Sequence, residues 1–166
     1  METLETIKKR RSVREFRPEP IPKETIERLV DAARFAATAR NLQPWEFIAV
    51  TRKDTLKKIA ELVENGRFIA DAALCIAVYC RQTKYYLEDG CAATENILLA
   101  ATEMGIASCW VAGDKKQYCN AVSALLGVPA EFNLVSLIAL GYPVSPHAFK
   151  TAQKRSCREI LHWEKF

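Results

Sequence analysis

"AALCIAVYC", residues 72–80, is a nearly continuous apolar run held between Asp71 and Arg81. A strand with one wet face would alternate polar and apolar residues. This run does not alternate, so it reads as a strand covered on both faces, in the middle of a layered domain. Working outward, a helix is expected from about Tyr86 to Met104, stopped by Gly105. "IASCWVA", 106–112, reads as a second buried strand. Residues 115–126 read as a helix ending at Gly127, and "LVSLIALGYP", 134–143, as a last core strand that Pro143 terminates. Upstream, "WEFIAVT", 45–51, reads as a strand. Ile26, Leu29, Val30, Ala33 and Ala37 fall at helical spacing behind Pro22, a good helix-entry residue. Asp54 is placed to cap a helix running to about Val63, with Leu56, Ile59, Ala60 and Val63 inward. A short helix over 2–10 puts Leu4 and Ile7 on one face, and the prolines of "PEPIP", 18–22, forbid a continuous helix after it. Strands separated by helices argue for a layered α/β arrangement, not a bundle or sandwich.

The 166 residues suit one domain spanning 1–166, with neither an internal repeat nor a dividing linker. A hydrophobic fraction of 49% and a charged fraction of 27% are those of a folded globular protein. The charged N-terminus lacks the apolar run of a secretory signal, and no stretch approaches the roughly 20 apolar residues of a membrane span. A soluble, cytoplasmic protein is therefore expected. Cys75, Cys80, Cys91, Cys109, Cys119 and Cys157 form no C-x-x-C pair, and the histidines are His147 and His162. That spacing is poor for a metal and reads as buried core thiols.

The net charge is only +4, but it is concentrated. "KKRRSVREFR", residues 8–17, carries six cationic side chains against Glu15, and Lys150, Lys154, Arg155 and Arg158 form a second cluster. A nucleic-acid tail would interleave aromatic with basic residues or spread charge along a face. Two compact clusters suit one small anion gripped from two sides, although solvated termini would carry similar charge. No G-x-S-x-G elbow, P-loop, G-x-G-x-x-G or carboxylate pair is present. Chemistry without such constellations is often borrowed from a cofactor. In "AATARNLQPWEF", 36–47, Asn41 and Gln43 can donate and accept at once, as the edge of a planar heterocycle requires. The same residues equally fit a capped helix end with Trp45 in the core.

Taken in order, R-R-S-V-R-E-F, A-T-A-R-N-L-Q-P-W, M-G-I-A-S-C-W-V-A-G, L-G-V-P and A-L-G-Y-P resemble the nitroreductase family of FMN-dependent oxidoreductases from about residue 5 to the H-W-E near the C-terminus. The resemblance implies an α+β fold whose central, mainly antiparallel sheet is flanked by helices, in an intertwined homodimer with residues 144–166 as a C-terminal arm. It implies FMN as cofactor and NAD(P)H as electron donor. Arg10 and Arg14 would grip the FMN phosphate, with Arg11 and Ser12 near the ribityl and pyrimidine side; a guanidinium fork matches phosphate oxygens. Lys154 and Arg155 would be second phosphate contacts. Thr38, Ala39 and Asn41 would meet the isoalloxazine from the other subunit, Asn41 bonding the pyrimidine. Gly105, Ile106, Ala107 and Ser108 would form the close backbone approach to the ring.

On this resemblance hydride passes from NAD(P)H to flavin N5 and on to a nitroaromatic, quinone or flavin acceptor bound in the same place. No catalytic side chain is required. A non-catalytic FMN-binding or redox-sensing protein of the same fold is the alternative. Thr38 keeps the hydroxyl where many relatives have Ser, and Ala107 replaces a glycine of a common pattern. Only Arg81, Gln82, Thr83 and Lys84 stand where longer relatives insert a lid, which implies an open site. Tyr85 and Tyr86 either line its mouth or pack at the start of the following helix.

Overall fold

The structure, a computed structural model, describes residues 2–166. Its elements are α1 (Thr3–Lys9), α2 (Lys23–Ala33), a 3-10 turn (Ala39–Asn41), β1 (Trp45–Val50), α3 (Lys53–Leu62), a 3-10 run (Glu64–Asp71), β2 (Leu74–Arg81), α4 (Tyr86–Glu103), β3 (Ala107–Ala112), α5 (Cys119–Leu126), β4 (Phe132–Gly141) and a final 3-10 turn (Cys157–Glu159). The strands form one antiparallel sheet in the order β1-β2-β4-β3. The expected α+β architecture is what the chain adopts.

Strand β2 is buried from Leu74 to Cys80, and its two-residue period divides the core. Cys75, Ala77 and Tyr79 face the layer containing α3, the 3-10 run and α5, with Leu56, Ile59, Val63, Ile69 and Val122. Leu74, Ile76, Val78 and Cys80 face α2 and α4, with Leu29, Ala33, Ile97 and Ala101. Two helical layers thus cover one sheet, which is why its central strands need no polar alternation. The β2–β4 register slips between Val78 and Tyr79, so Val135 is the extra residue on β4. The bulge lets Val135 join the α4-side cluster while its neighbour Ser136 is reached by Thr94 of α4, Oγ to Oγ 2.8 Å.

Several boundaries depart from the sequence expectation for local reasons. Helix α2 stops at Ala33, short of Ala37; Asn96 of α4 donates to the Ala32 carbonyl at 3.0 Å and caps the end from outside. Arg52, not Asp54, precedes α3, so Asp54 lies inside the first turn, where the positive helix end favours its carboxylate. Helix α5 begins only at Cys119, because the preceding turn is occupied otherwise: Lys115 has φ 59°, and the Tyr118 hydroxyl donates back to the Ala112 carbonyl. The 3-10 run at 64–71 lacked any periodicity to announce it. The six thiols are not all core: Cys75, Cys80 and Cys109 are buried, Cys91 and Cys119 are half-buried, and Cys157 is exposed. No helix among the described residues is long and apolar enough to cross a membrane.

Candidate functional site

The basic loop is tied to the sheet. Ser12 forms a parallel bridge with Ser108 near the start of edge strand β3, and the Val13 N–H donates to the Ser108 carbonyl at 2.9 Å. Four residues on, Phe16 bridges Pro143 and is buried against Gly141. The loop is therefore a rim laid across one end of the sheet, not a loose tail. Arg10 closes α1 and lies 3.6 Å from Glu95, while Arg14 lies over the Phe68 ring at 5.6 Å. Both guanidiniums act electrostatically on the Cys109 thiol, and Ser12 hydrogen-bonds it. Burial nevertheless dominates and pushes that thiol above its ordinary range. Arg11 Nη1 donates to the Lys150 carbonyl at 3.2 Å, which joins the start of the C-terminal segment to the rim.

Beside this rim, Ser108 Oγ is buried without a hydrogen-bond partner. A buried hydroxyl left unpaired is costly, so the position is suited to a bound polar group. Gly105 ends α4 at φ 71°, with the Ile106 N–H bonded back to the Ala101 carbonyl at 2.8 Å. The left-handed conformation is what calls for glycine. A Cβ there would meet nothing within 4 Å, so the surface over the turn is open. Ile106, Ala107 and Ser108 are all buried behind it.

The Thr38–Gln43 segment is held in an unusual shape. Arg40, Asn41 and Gln43 have φ of 55°, 56° and 48°, left-handed values that are rare outside glycine. Thr38 Oγ1 donates to Asp89 Oδ2 at 3.0 Å, and the Ala39 N–H donates to Asp89 Oδ1 at 3.1 Å. The Gln43 N–H donates to Thr38 Oγ1 at 3.1 Å, and Gln43 Nε2 to Asn41 Oδ1 at 3.2 Å. Of the capped-helix reading the structure keeps one half: Trp45 is core, but Asn41 and Gln43 are exposed and pair with each other instead of capping α2. Asp89 escaped the sequence reading. Its signal was available, because it stands four residues before Ala93 and eight before Ile97, on the buried stripe of α4. A carboxylate there needs partners.

Arg81, the last residue of β2, and Thr83, just after it, line a cleft of about 240 Å³ with Gln43, Glu46 and Phe132. A larger cleft of about 490 Å³, between Pro18–Ile26 and the end of β1, contains none of the predicted site residues. Tyr86 packs: its hydroxyl donates to Asp114 Oδ1 at 2.6 Å, while Tyr85 remains exposed. Lys154 and Arg155 lie in the exposed segment, where Arg155 Nη2 donates to the Glu159 carbonyl at 2.7 Å. No hydrogen bond or ion pair among the described residues joins either one to the Arg10–Arg14 loop. Burial pushes the Cys75 and Cys80 thiols up to about 12, away from the thiolate that a thiol sensor uses.

The nitroreductase-family model matches residues 7–87 and 65–142. Over 172 aligned residues the chain is 37% identical to an Archaeoglobus fulgidus protein provisionally named NADH dehydrogenase/NAD(P)H nitroreductase, and the match covers 99% of each. A similarly named Parabacteroides distasonis protein of known structure superposes with a TM-score of 0.92 at 30% identity, covering 99% of this chain and 98% of that one. An FMN-dependent nitroreductase from Clostridium difficile gives a TM-score of 0.91 at 26% identity, covering 98% and 99%.

Proposed function

The chain belongs to the nitroreductase family, and from that premise we propose which residues hold its cofactor and what it reduces. It is an FMN-using, NAD(P)H-dependent oxidoreductase, as its relatives are named. FMN, when bound, supplies hydride acceptance at N5 and delivery of the electrons to a second substrate. The residues present suit that group. The Ser12–Ser108 bridge is the observation that carries the reading, because it ties the loop bearing Arg10 and Arg14 to the strand whose Ser108 Oγ is a buried hydroxyl with no partner.

In this reading Arg10 and Arg14 take the phosphate, and Arg10 exchanges part of its pairing with Glu95 for it. Arg11 and Ser12 stand next along the rim. Ser108 Oγ acquires a partner on binding, and the open surface over Gly105–Ala107 gives a flat group room to lie against the backbone. Asn41, carried with Thr38 and Ala39 by the second subunit of a homodimer, donates to the pyrimidine edge. Donors at that edge stabilise negative charge where reduction develops it. Lys154 and Arg155 reach the phosphate through the 144–166 arm, while residues 1–166 form a single domain. Nitroaromatics, quinones and free flavins are the acceptor class, taken in ping-pong order into a site that no lid covers.

The test begins with the visible spectrum of the freshly purified protein and chromatography of what heating releases. FMN near one per chain, bleached by NAD(P)H without air, is expected. Parallel lines in double-reciprocal plots of NAD(P)H against a quinone are expected for ping-pong order; intersecting lines would refute it. A colourless protein that takes up no added FMN would overturn the cofactor site.

A further inference from the structure

Asp89 is buried, yet among the described residues no hydrogen bond or ion pair joins it to those assigned to the cofactor phosphate or the backbone approach to the ring. Both of its oxygens are engaged by one segment: Oδ1 by the Ala39 N–H and Oδ2 by the Thr38 hydroxyl. Because Thr38 gives its proton to Asp89, the hydroxyl lone pairs face the Gln43 N–H, which donates to them at 3.1 Å. Gln43 is thereby fixed, and its Nε2 engages the Asn41 side-chain oxygen at 3.2 Å. The end of this chain is an exposed amide whose oxygen is occupied, so that Nδ2 is the atom it offers to a ligand. Three left-handed residues lie within that loop, and such backbone persists only where the surroundings impose it.

We propose that Asp89 is the positioning residue of the 38–43 loop, setting the side chain of Asn41 as a fixed donor toward a carbonyl on the edge of the bound heterocycle. The proposal rests on the reading of this loop as flavin-facing. Asp89 touches no ligand. It acts through Thr38, so the two residues form one unit, and removing either has the same consequence.

The test uses the FMN-reconstituted protein and reads FMN affinity from flavin fluorescence, together with the visible spectrum and reduction potential of bound FMN. Asp89→Ala is expected to raise the FMN Kd by about tenfold, as loss of one hydrogen bond to a charged edge implies. The potential is expected to shift downward, since the reduced, anionic form loses its donor. Thr38→Val should reproduce both effects, Thr38→Ser should restore wild-type values, and the double variant should lose no more than either single one. Thr38→Val leaves the buried carboxylate its Ala39 partner, so it serves if Asp89→Ala does not fold. A lowered Tm with unchanged spectrum and potential, in Asp89→Ala or in Thr38→Val, would overturn the proposal and leave Asp89 a purely structural anchor. Failure of the wild-type protein to bind FMN would instead overturn the cofactor reading itself.

Discussion

Tyr86 shows how one hydrogen bond makes stability depend on pH. Its bond to Asp114 favours the neutral phenol, and with burial this raises its pKa from 10.0 to about 12. The neutral phenol is the form the fold prefers, so the contribution is complete below pH 10 and is lost between about 10 and 12. Tyr86→Phe is expected to cost about 1–3 kcal/mol at neutral pH, as for other bonds to charged groups. The gap from wild type should shrink across that alkaline window in denaturant titrations at stepped pH; a constant gap would contradict the assignment. Ser108 presents the opposite case, a buried hydroxyl with no bond to lose. Ser108→Ala should leave the Tm of the FMN-free protein unchanged or slightly higher while weakening FMN binding. Arg10→Ala should weaken it about tenfold or more, as loss of a charge-assisted contact implies. Isothermal titration with FMN reads both, and unchanged affinity in either variant would remove that residue from the site.

At the scale of elements, helix α4 is held to the sheet partly by a polar pair that no apolar pattern shows. Thr94 Oγ1 donates to the Gly90 carbonyl at 2.8 Å, which leaves Ser136 Oγ as donor to Thr94. Thr94→Val keeps the shape but orphans a buried hydroxyl, at about 1–3 kcal/mol. Adding Ser136→Ala removes the orphan and should restore most of that loss. Chemical denaturation of the three variants measures it, and full additivity would show that the pair is uncoupled. The sequence made β2, β3 and β4 legible because burial writes long apolar runs, and α4 legible because Gly105 stops it. It could not show the β4 bulge or the late start of α5, since a register slip at Val135 and a hydroxyl closing back on Ala112 are tertiary events. The site divides in the same way. The arginines announced themselves as charge, and the Gly105 turn as a helix stop. The burial of Asp89 was legible from its place on the α4 stripe, but its role was not, because its partners lie in a loop 50 residues upstream.

For the whole molecule the question is what covers the apolar groups that a single chain leaves in water. Trp163 is 79% exposed, Phe166 is fully exposed, and Ile160 and Leu161 are more than half exposed. At the other terminus Leu4 and Ile7, the face expected for α1, are also exposed at 68% and 49%. Burying side chains of this size is worth about 1.5–3 kcal/mol each, so leaving this set in water forgoes a large part of a domain's net stability. The segment after Lys150 has no packed layer of its own; the Ser156–Glu159 capping box and the Arg155 bond to the Glu159 carbonyl give it only local shape. With a second copy as the partner, as proposed above, exchange of arms would bring Lys154 and Arg155 to a site within the dimer. Deletion of residues 150–166 is therefore expected to yield monomers, FMN-free protein or both. Sedimentation velocity gives the mass and absorbance at the flavin band gives the loading. A truncated chain that remains a flavin-loaded dimer would refute arm exchange and place the second phosphate contact elsewhere. Lys154→Ala with Arg155→Ala in the full chain separates the two roles: affinity for FMN should fall while the dimer persists, because the apolar side chains of the arm are untouched.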